Sequence, residues 1–403
     1  MEKAAEIVKR LADEEPLRGL LAAAPSRAKD IAALSAKLCA IPAPTFHEGP
    51  RAEAVEAEMK WRGIPRIEKD SAGNVLATLD SGHAGASLLV AAHMDTVFPP
   101  GTPCKAEERS GWLYGPGIAD NASGMAVAII AAECLFRHSL PRKGKITFSF
   151  TVGEEGLGNL RGMRHLFENA GRSFDVVLAI DGDLGHVLHE PVGSRRYRLA
   201  TAGPGGHSWA NFGRPSALHA LIQIAEPLTR MRVPASPRTT FNIGVLSGGT
   251  SVNTIAAEAE LLMDLRSTDG RALDAVEAQF LEIVRGAEMP QGISLQIQKV
   301  GDRPVGDGAL AREPADIVSC AMRFLGIEPV ASASSTDANI PLSLGIPATT
   351  MGIRRGVGVH SPEEGLEIAS LGSGLQIFIL ALPSLVEAYS FVPPATKEKG
   401  RPR

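Results

Sequence analysis

The sequence predicts an α/β protein: a mostly parallel β-sheet sandwiched by helices, with a ferredoxin-like α+β domain inserted into it. Three observations lead there. Runs such as "SLLVAA" and "FDVVLAID" are apolar on both alternating sets of positions, as strands covered on both faces are. They alternate with helical segments, the order of a parallel sheet. After about Ser194 the pattern changes to β-α-β-β-α-β, and from about Arg303 it returns to the first style.

In chain order, apolar positions in residues 28–39 and 50–60 recur at helical spacing around the turn-rich "IPAPTFHEGP", so two helices open the chain. Strands follow at "NVLATL" and "SLLVAA", then a glycine-punctuated loop "GWLYGPGIADNASG" and a small-residue helix from about Ser123 to Phe136. "KITFSFTV" is a strand, "RGMRHLFENA" a helix and "FDVVLAID" a strand. The inserted domain reads as strand "RRYRLATA", helix "SALHALIQIAEPLTRM", strands "FNIGVLSGG" and "AEAELLMDLRS", helix "LDAVEAQFLEIVRGA" and strand "ISLQIQKVG". Helix "PADIVSCAMRFLG", strand "IPATTMGI" and helix "LQIFILALPSLVEAYSF" complete the first domain. Domain bounds of 1–194, 195–303 and 304–403 follow. The tail "PPATKEKGRPR" has almost nothing to bury and is expected to be disordered.

A chain of 403 residues exceeds the size at which one core stops growing, which agrees with two domains. Its formal charge of -4 offers no electrostatic reason to bind nucleic acid or an anionic membrane. No stretch approaches the roughly 20 apolar residues of a membrane span. The N-terminus lacks the basic start and unbroken apolar run of a secretory signal. Cys39, Cys104, Cys134 and Cys320 are scattered, as reduced thiols would be. A cytoplasmic protein is expected.

Ligands of an open parallel sheet gather outside the carboxyl ends of its strands. There the predicted strands deliver His93 and Asp95, Glu154 and Glu155, and Asp181 and Asp183. Asp120 lies in the loop before the small-residue helix, and His360 follows the late strand. So many acids in one pocket raise one another's pKa and call for a cation. Imidazole and carboxylate are donors that zinc accepts, and a bridging carboxylate can hold two metals roughly 3.5–4 Å apart. Either acid of the "DGD" turn could ligate; Asp181 is favoured because it directly ends its strand. Strand alternation puts His93 and Asp95 on one side.

As a set, "AHMDTV", "YGPGIADNASG", "TVGEEGLGN", "AIDGD", "GGHS", "SVNT", "DLRS", "STDANIP" and "GVGVHSPEE" resemble the co-catalytic zinc exopeptidases. That family includes tripeptide aminopeptidase (peptidase T) and glutamate carboxypeptidase, with acetylornithine deacetylase as a relative. The resemblance runs in order from about Cys39 to about Tyr389. It implies the zinc exopeptidase fold, the inserted domain serving as a dimerisation (lid) domain of a homodimer.

The resemblance further implies two zinc ions per subunit, with cobalt or manganese acceptable to the same donors. His93 and Asp181 would hold one metal, Glu155 and His360 the other, and Asp120 would bridge them. Asp95 would accept the second ring N–H of His93. Glu154 would be the general base acting on the metal-bridged water. His207 would reach the partner's site as an oxyanion donor, and Asn253 and Arg266 would bind substrate. The implied activity is tripeptide aminopeptidase-like cleavage of small peptides. A carboxypeptidase or N-acyl-amino-acid amidohydrolase could use the same metals. A metal-stabilised dimer without activity would be expected to lack the base, and Glu154 is present.

Overall fold

Every residue of the strand Ser87–His93 is buried, because the sheet it belongs to is covered on both faces. Successive side chains alternate sides, so Leu88 and Val90 join one hydrophobic core while Leu89 and Ala91 join another. The first core takes its helical cover from Gly124–Arg137 and Ile368–Ser390; the second takes it from around Leu160, Met163 and Leu342. Phe148, fully buried in the neighbouring strand, shows the energetic weight of this layer: Phe148→Ala would cost about 3–5 kcal/mol.

The structure, a computed structural model, describes residues 1–169 and 172–390. Its main sheet has eight strands in the order Ile67–Lys69, Val75–Asp80, Lys145–Thr151, Ser87–His93, Val176–Ile180, Ala348–Met351, His186–Pro191 and Val330–Ser334. The four central strands from Lys145–Thr151 to Ala348–Met351 run parallel. Val75–Asp80 and Ile67–Lys69 extend one side antiparallel, and His186–Pro191 pairs antiparallel on the other. The carboxyl ends of the parallel strands present the residues of interest.

Pro191–Gly306 forms a separate compact unit. Its four antiparallel strands lie in the order Thr239–Gly248, Glu258–Ser267, Gly193–Ala202, Ser294–Arg303, the ferredoxin-like arrangement. Helices Ala217–Leu228 and Gly270–Gly286 cover one face through Leu221, Ile224, Phe280 and Val284. Ser216 and Asp269 cap their first turns by accepting backbone N–H bonds.

Three expectations need correcting. Helices Glu2–Asp13 and Leu17–Ala23 precede the two that were expected to open the chain; Ala4, Ile7 and Val8 bury one face of the first. The glycine-punctuated loop contains the strand Trp112–Tyr114, which joins a small antiparallel sheet with Glu107–Arg109, Gly365–Glu367 and Gly356–Val357. Two helical stretches, Ile118–Arg137 and Ser370–Ser390, are long and apolar enough to cross a membrane by length and composition. They are apolar all round because they are enclosed by protein, 100% and 83% buried respectively. The expected disordered tail, residues 393–403, lies outside the described residues.

Candidate metal centre

The central strands deliver their side chains as anticipated. Asp120 stands at the middle of the cluster they form. Its Oδ1 lies 3.0 Å from His93 Nε2 and its Oδ2 lies 3.2 Å from His360 Nε2. His360 Nε2 is also 3.1 Å from Glu155 Oε1. The groupings His93–Asp120–Asp181, Asp120–Glu155–His360 and His93–Glu154–Glu155 each hold potential donor atoms within 4.8 Å of one another. All these residues except Asp181 and His360 are buried.

Asp183 is separated from this cluster by its own partners. Its carboxylate accepts from Arg354 Nη1 at 3.1 Å and from the Gly356 backbone N–H at 2.9 Å. Arg354 is itself buried and donates Nε–H to the Ala119 carbonyl at 2.7 Å. Of the two acids in the "DGD" turn, only Asp181 therefore falls into a cluster with His93 and Asp120.

Asp95 stands at His93 Nδ1 and has other partners besides. The nearest partner of His93 Nδ1 is the Asp95 backbone carbonyl at 3.1 Å, with carboxylate Oδ1 at 3.6 Å. The carboxylate also accepts the backbone N–H groups of Glu154 and Glu155, both at 2.9 Å, and the Thr45 hydroxyl at 2.8 Å. The Asp95 peptide carbonyl and carboxylate thus both face the imidazole Nδ1, and the carboxylate also clamps the turn that carries the two glutamates.

Electrostatics follow from burial and crowding. Burial, with the nearby Asp120 charge, pushes the Asp181 carboxyl up to about 7. Burial would also raise Asp120, but bonds to His360 and His93 outweigh it and hold that carboxyl well below its usual range. The same carboxylate, with Glu155, pushes His360 up to about 10. Burial would lower His93, yet Asp120 and Asp95 raise it well above the ordinary imidazole value. Five carboxylates surround two imidazoles here, a surplus of negative charge that favours bound cations. Nitrogen and oxygen donors without thiolate fit divalent ions such as zinc, cobalt or manganese.

Several contributors escaped the sequence reading. Glu364, fully buried, accepts backbone N–H bonds from Ala119 at 2.8 Å and Asp120 at 2.7 Å. The buried Arg51 guanidinium donates to the carbonyls of Ile41 and of Met94, the residue between His93 and Asp95. Nothing local in "SPEEG" or "GPRAEA" marks these two as interior groups.

His207, Asn253 and Arg266 all belong to the Pro191–Gly306 unit. His207 is exposed, and its Nδ1 accepts backbone N–H bonds from Trp209 at 3.2 Å and Ala210 at 3.3 Å. A neutral ring must then carry its proton on Nε2, which makes that nitrogen an outward donor. The Asn253 carbonyl accepts from Ser208 N–H at 2.9 Å, which ties the two loops together. Arg266 donates Nε–H to Asp264 at 2.6 Å and stays 42% exposed, so part of its guanidinium fork is open.

A parallel sheet covered by helices on both faces, with imidazole and carboxylate donors clustered at its strand ends, is the frame of a metal-dependent hydrolase. The chain belongs to peptidase family M20/M25/M40, whose pattern matches residues 89–383. It is 25% identical to the Bacillus subtilis protein YqjE over 83% of this chain and 92% of that one. It is 28% identical to carboxypeptidase G2 of a Pseudomonas species over 59% of each chain. The aminopeptidase PepT structure from Bacillus cereus superposes with a TM-score of 0.67 at 20% identity, covering 89% of this chain and 99% of that one.

Proposed function

We propose that this chain hydrolyses a peptide bond near the end of small peptides, in the manner of a tripeptide aminopeptidase. The observation that carries this reading is the placement of Asp120, whose two oxygens face the Nε2 atoms of His93 and His360. His93 and Asp181 would hold one divalent ion and Glu155 and His360 a second, with Asp120 serving both. Such ions, zinc by preference, supply Lewis acidity that polarises a carbonyl and acidifies water.

The remaining chemistry belongs to side chains. Glu154, buried beside His93 and Glu155, takes the proton of the attacking water and returns it to the leaving amine. Asp95 fixes the Glu154–Glu155 turn through its two backbone bonds. His207 offers Nε2–H to the oxyanion in the active site of a second copy, two copies pairing through the Pro191–Gly306 unit as a homodimer. Asn253 and Arg266 bind the substrate's polar end. The enzyme works in the cytoplasm on small-molecule substrates.

A second reading rests on Arg266, whose open guanidinium suits a carboxylate. It makes the enzyme a carboxypeptidase or N-acyl-amino-acid amidohydrolase, and the similarity to carboxypeptidase G2 supports it. Hydrolysis of free Ala-Ala-Ala and of its N-acetyl form by the zinc-loaded protein separates the two. Loss of the first residue from the free peptide alone agrees with the first reading. Cleavage of the blocked form moves the chain to the second, and cleavage of neither peptide contradicts the aminopeptidase reading.

A further inference from the structure

We infer that Glu364 is a positioning residue that holds the Asp120 loop and the His360 loop in one arrangement, and so sets the affinity of the centre for its cations. The inference rests on the metal-centre reading above. The side chain is 0% exposed, whereas that of its neighbour Glu363 is 80% exposed. Oε1 accepts the N–H groups of Ala119 and Asp120 at 2.8 and 2.7 Å. Oε2 accepts more weakly, from Gly117 N–H at 3.3 Å and from His360 N–H at 3.4 Å. The backbone takes part as well, because the Glu364 carbonyl accepts Gly115 N–H at 2.9 Å.

One carboxylate thereby gathers donors from both loops that carry facing candidate ligands. The pairing of Trp112–Tyr114 with Gly365–Glu367 and the Arg354 Nε–H bond to the Ala119 carbonyl join the same segments farther from the two ligands. Gly117 has φ +75°, and a Cβ there would come within 2.6 Å of Thr96 Cγ2, so the chain makes a tight left-handed turn just before Asp120. His360 is also left-handed, at φ +67°, where a non-glycine residue needs support from its surroundings. A carboxylate that accepts several backbone N–H bonds supplies such support, since each is a charge-assisted bond.

Glu364→Gln tests the idea, because an amide keeps the size and one acceptor oxygen but turns an N–H group toward the donors that Oε2 now receives. The probe is Co2+ added to the chelator-stripped full-length protein, read by calorimetry and by the visible absorption bands of the bound ion. Removing an outer partner of a metal ligand costs about 10–100-fold in affinity, and that loss is expected here together with altered cobalt bands. At saturating cobalt, kcat should recover toward the wild-type value with KM unchanged. Glu363→Gln serves as the neighbouring control and should bind cobalt as the wild type does.

A purely structural Glu364 would lower the melting temperature of the stripped protein while leaving cobalt affinity and spectrum unchanged, and that result overturns the inference. If Glu364→Gln does not fold, Glu364→Asp keeps the charge but withdraws it by one methylene. The same loss of cobalt affinity is expected of that variant, and wild-type affinity again overturns the inference. A wild-type protein that takes up no cobalt would overturn the metal-centre reading itself; one that binds cobalt normally while Glu364→Gln does so equally well removes only the role of Glu364.

Discussion

Asp120 Oδ2 lies 3.2 Å from His360 Nε2, although the two residues belong to different stretches of the chain, before and after the Pro191–Gly306 unit. The contact joins a loop entering a buried helix to a loop within a small edge sheet. Replacement of Asp120 should therefore disturb both cation positions at once. Asp120→Ala is expected to lose most bound metal and to lower kcat/KM by more than the roughly 100-fold that outer partners command. Metal analysis after dialysis, alongside the rate, checks it; full retention of both ions would contradict the shared-ligand role.

Glu154 should separate chemistry from metal binding. Glu154→Gln removes the proton acceptor while preserving shape, so the variant should keep its metal content and lose about 10² to 10⁴ in kcat. Unchanged turnover would move the base to another residue.

Asp95 carries a different expectation. Its carboxylate accepts two backbone N–H bonds from the Glu154–Glu155 turn, and an asparagine can satisfy only one with its oxygen. Asp95→Asn should thus lower kcat more than it raises KM, with a shift in the pH–rate profile that a remote packing defect would not produce. Steady-state kinetics across pH tests this.

His207→Ala should cost about 10² to 10³ in kcat if the imidazole donates to an oxyanion. Because the donation is proposed to occur between copies, mixing His207→Ala with Glu154→Gln protein should restore part of the activity through hybrid dimers. Strict absence of recovery after subunit exchange would argue that each copy works alone.

Stability should depend on a buried ion network away from the centre. Arg62, with a side chain 5% exposed, bonds Glu133 at 2.6 Å, Glu58 at 2.9 Å and Asp30 at 3.2 Å. Burial would raise the carboxyls of Asp30 and Glu133, but Arg62 and Arg27 outweigh it and hold both below their usual range. Such groups bind protons more readily when unfolded. Their stabilisation is present above the unfolded value of about 4 and is lost as pH falls through the lower folded values. Arg62→Ala removes the buried cation while Glu133 keeps Arg27 and Arg137 and Glu58 keeps Lys37, so the loss at neutral pH should fall below the roughly 3–5 kcal/mol of a stranded buried charge, and be smaller still in acid. Denaturant titrations at both pH values measure the difference.

What was legible in the sequence was whatever had a local cause. "SLLVAA" announced a strand covered on both faces because it is apolar after its first residue, and the strand ends pointed to His93, Glu155 and Asp181 because an open parallel sheet gathers its binding residues there. The further bonds of the Asp95 carboxylate, to the backbone N–H groups of residues 154 and 155, were not legible because no spacing encodes them. Glu364 was passed over because "PEEG" looks like a solvated turn, and only the fold buries its second acid while exposing its first. The opening helix Glu2–Asp13 did carry a signal in the spacing of Ala4, Ile7 and Val8, hidden among frequent charges.

A titration of chelator-stripped protein with Zn2+, following both heat of binding and hydrolysis of Ala-Ala-Ala, addresses the two-ion hydrolase reading at its root. Two equivalents should bind per chain, with turnover appearing as the second is taken up. Full activity without added metal after chelation, or saturation below two equivalents in an active enzyme, would contradict it.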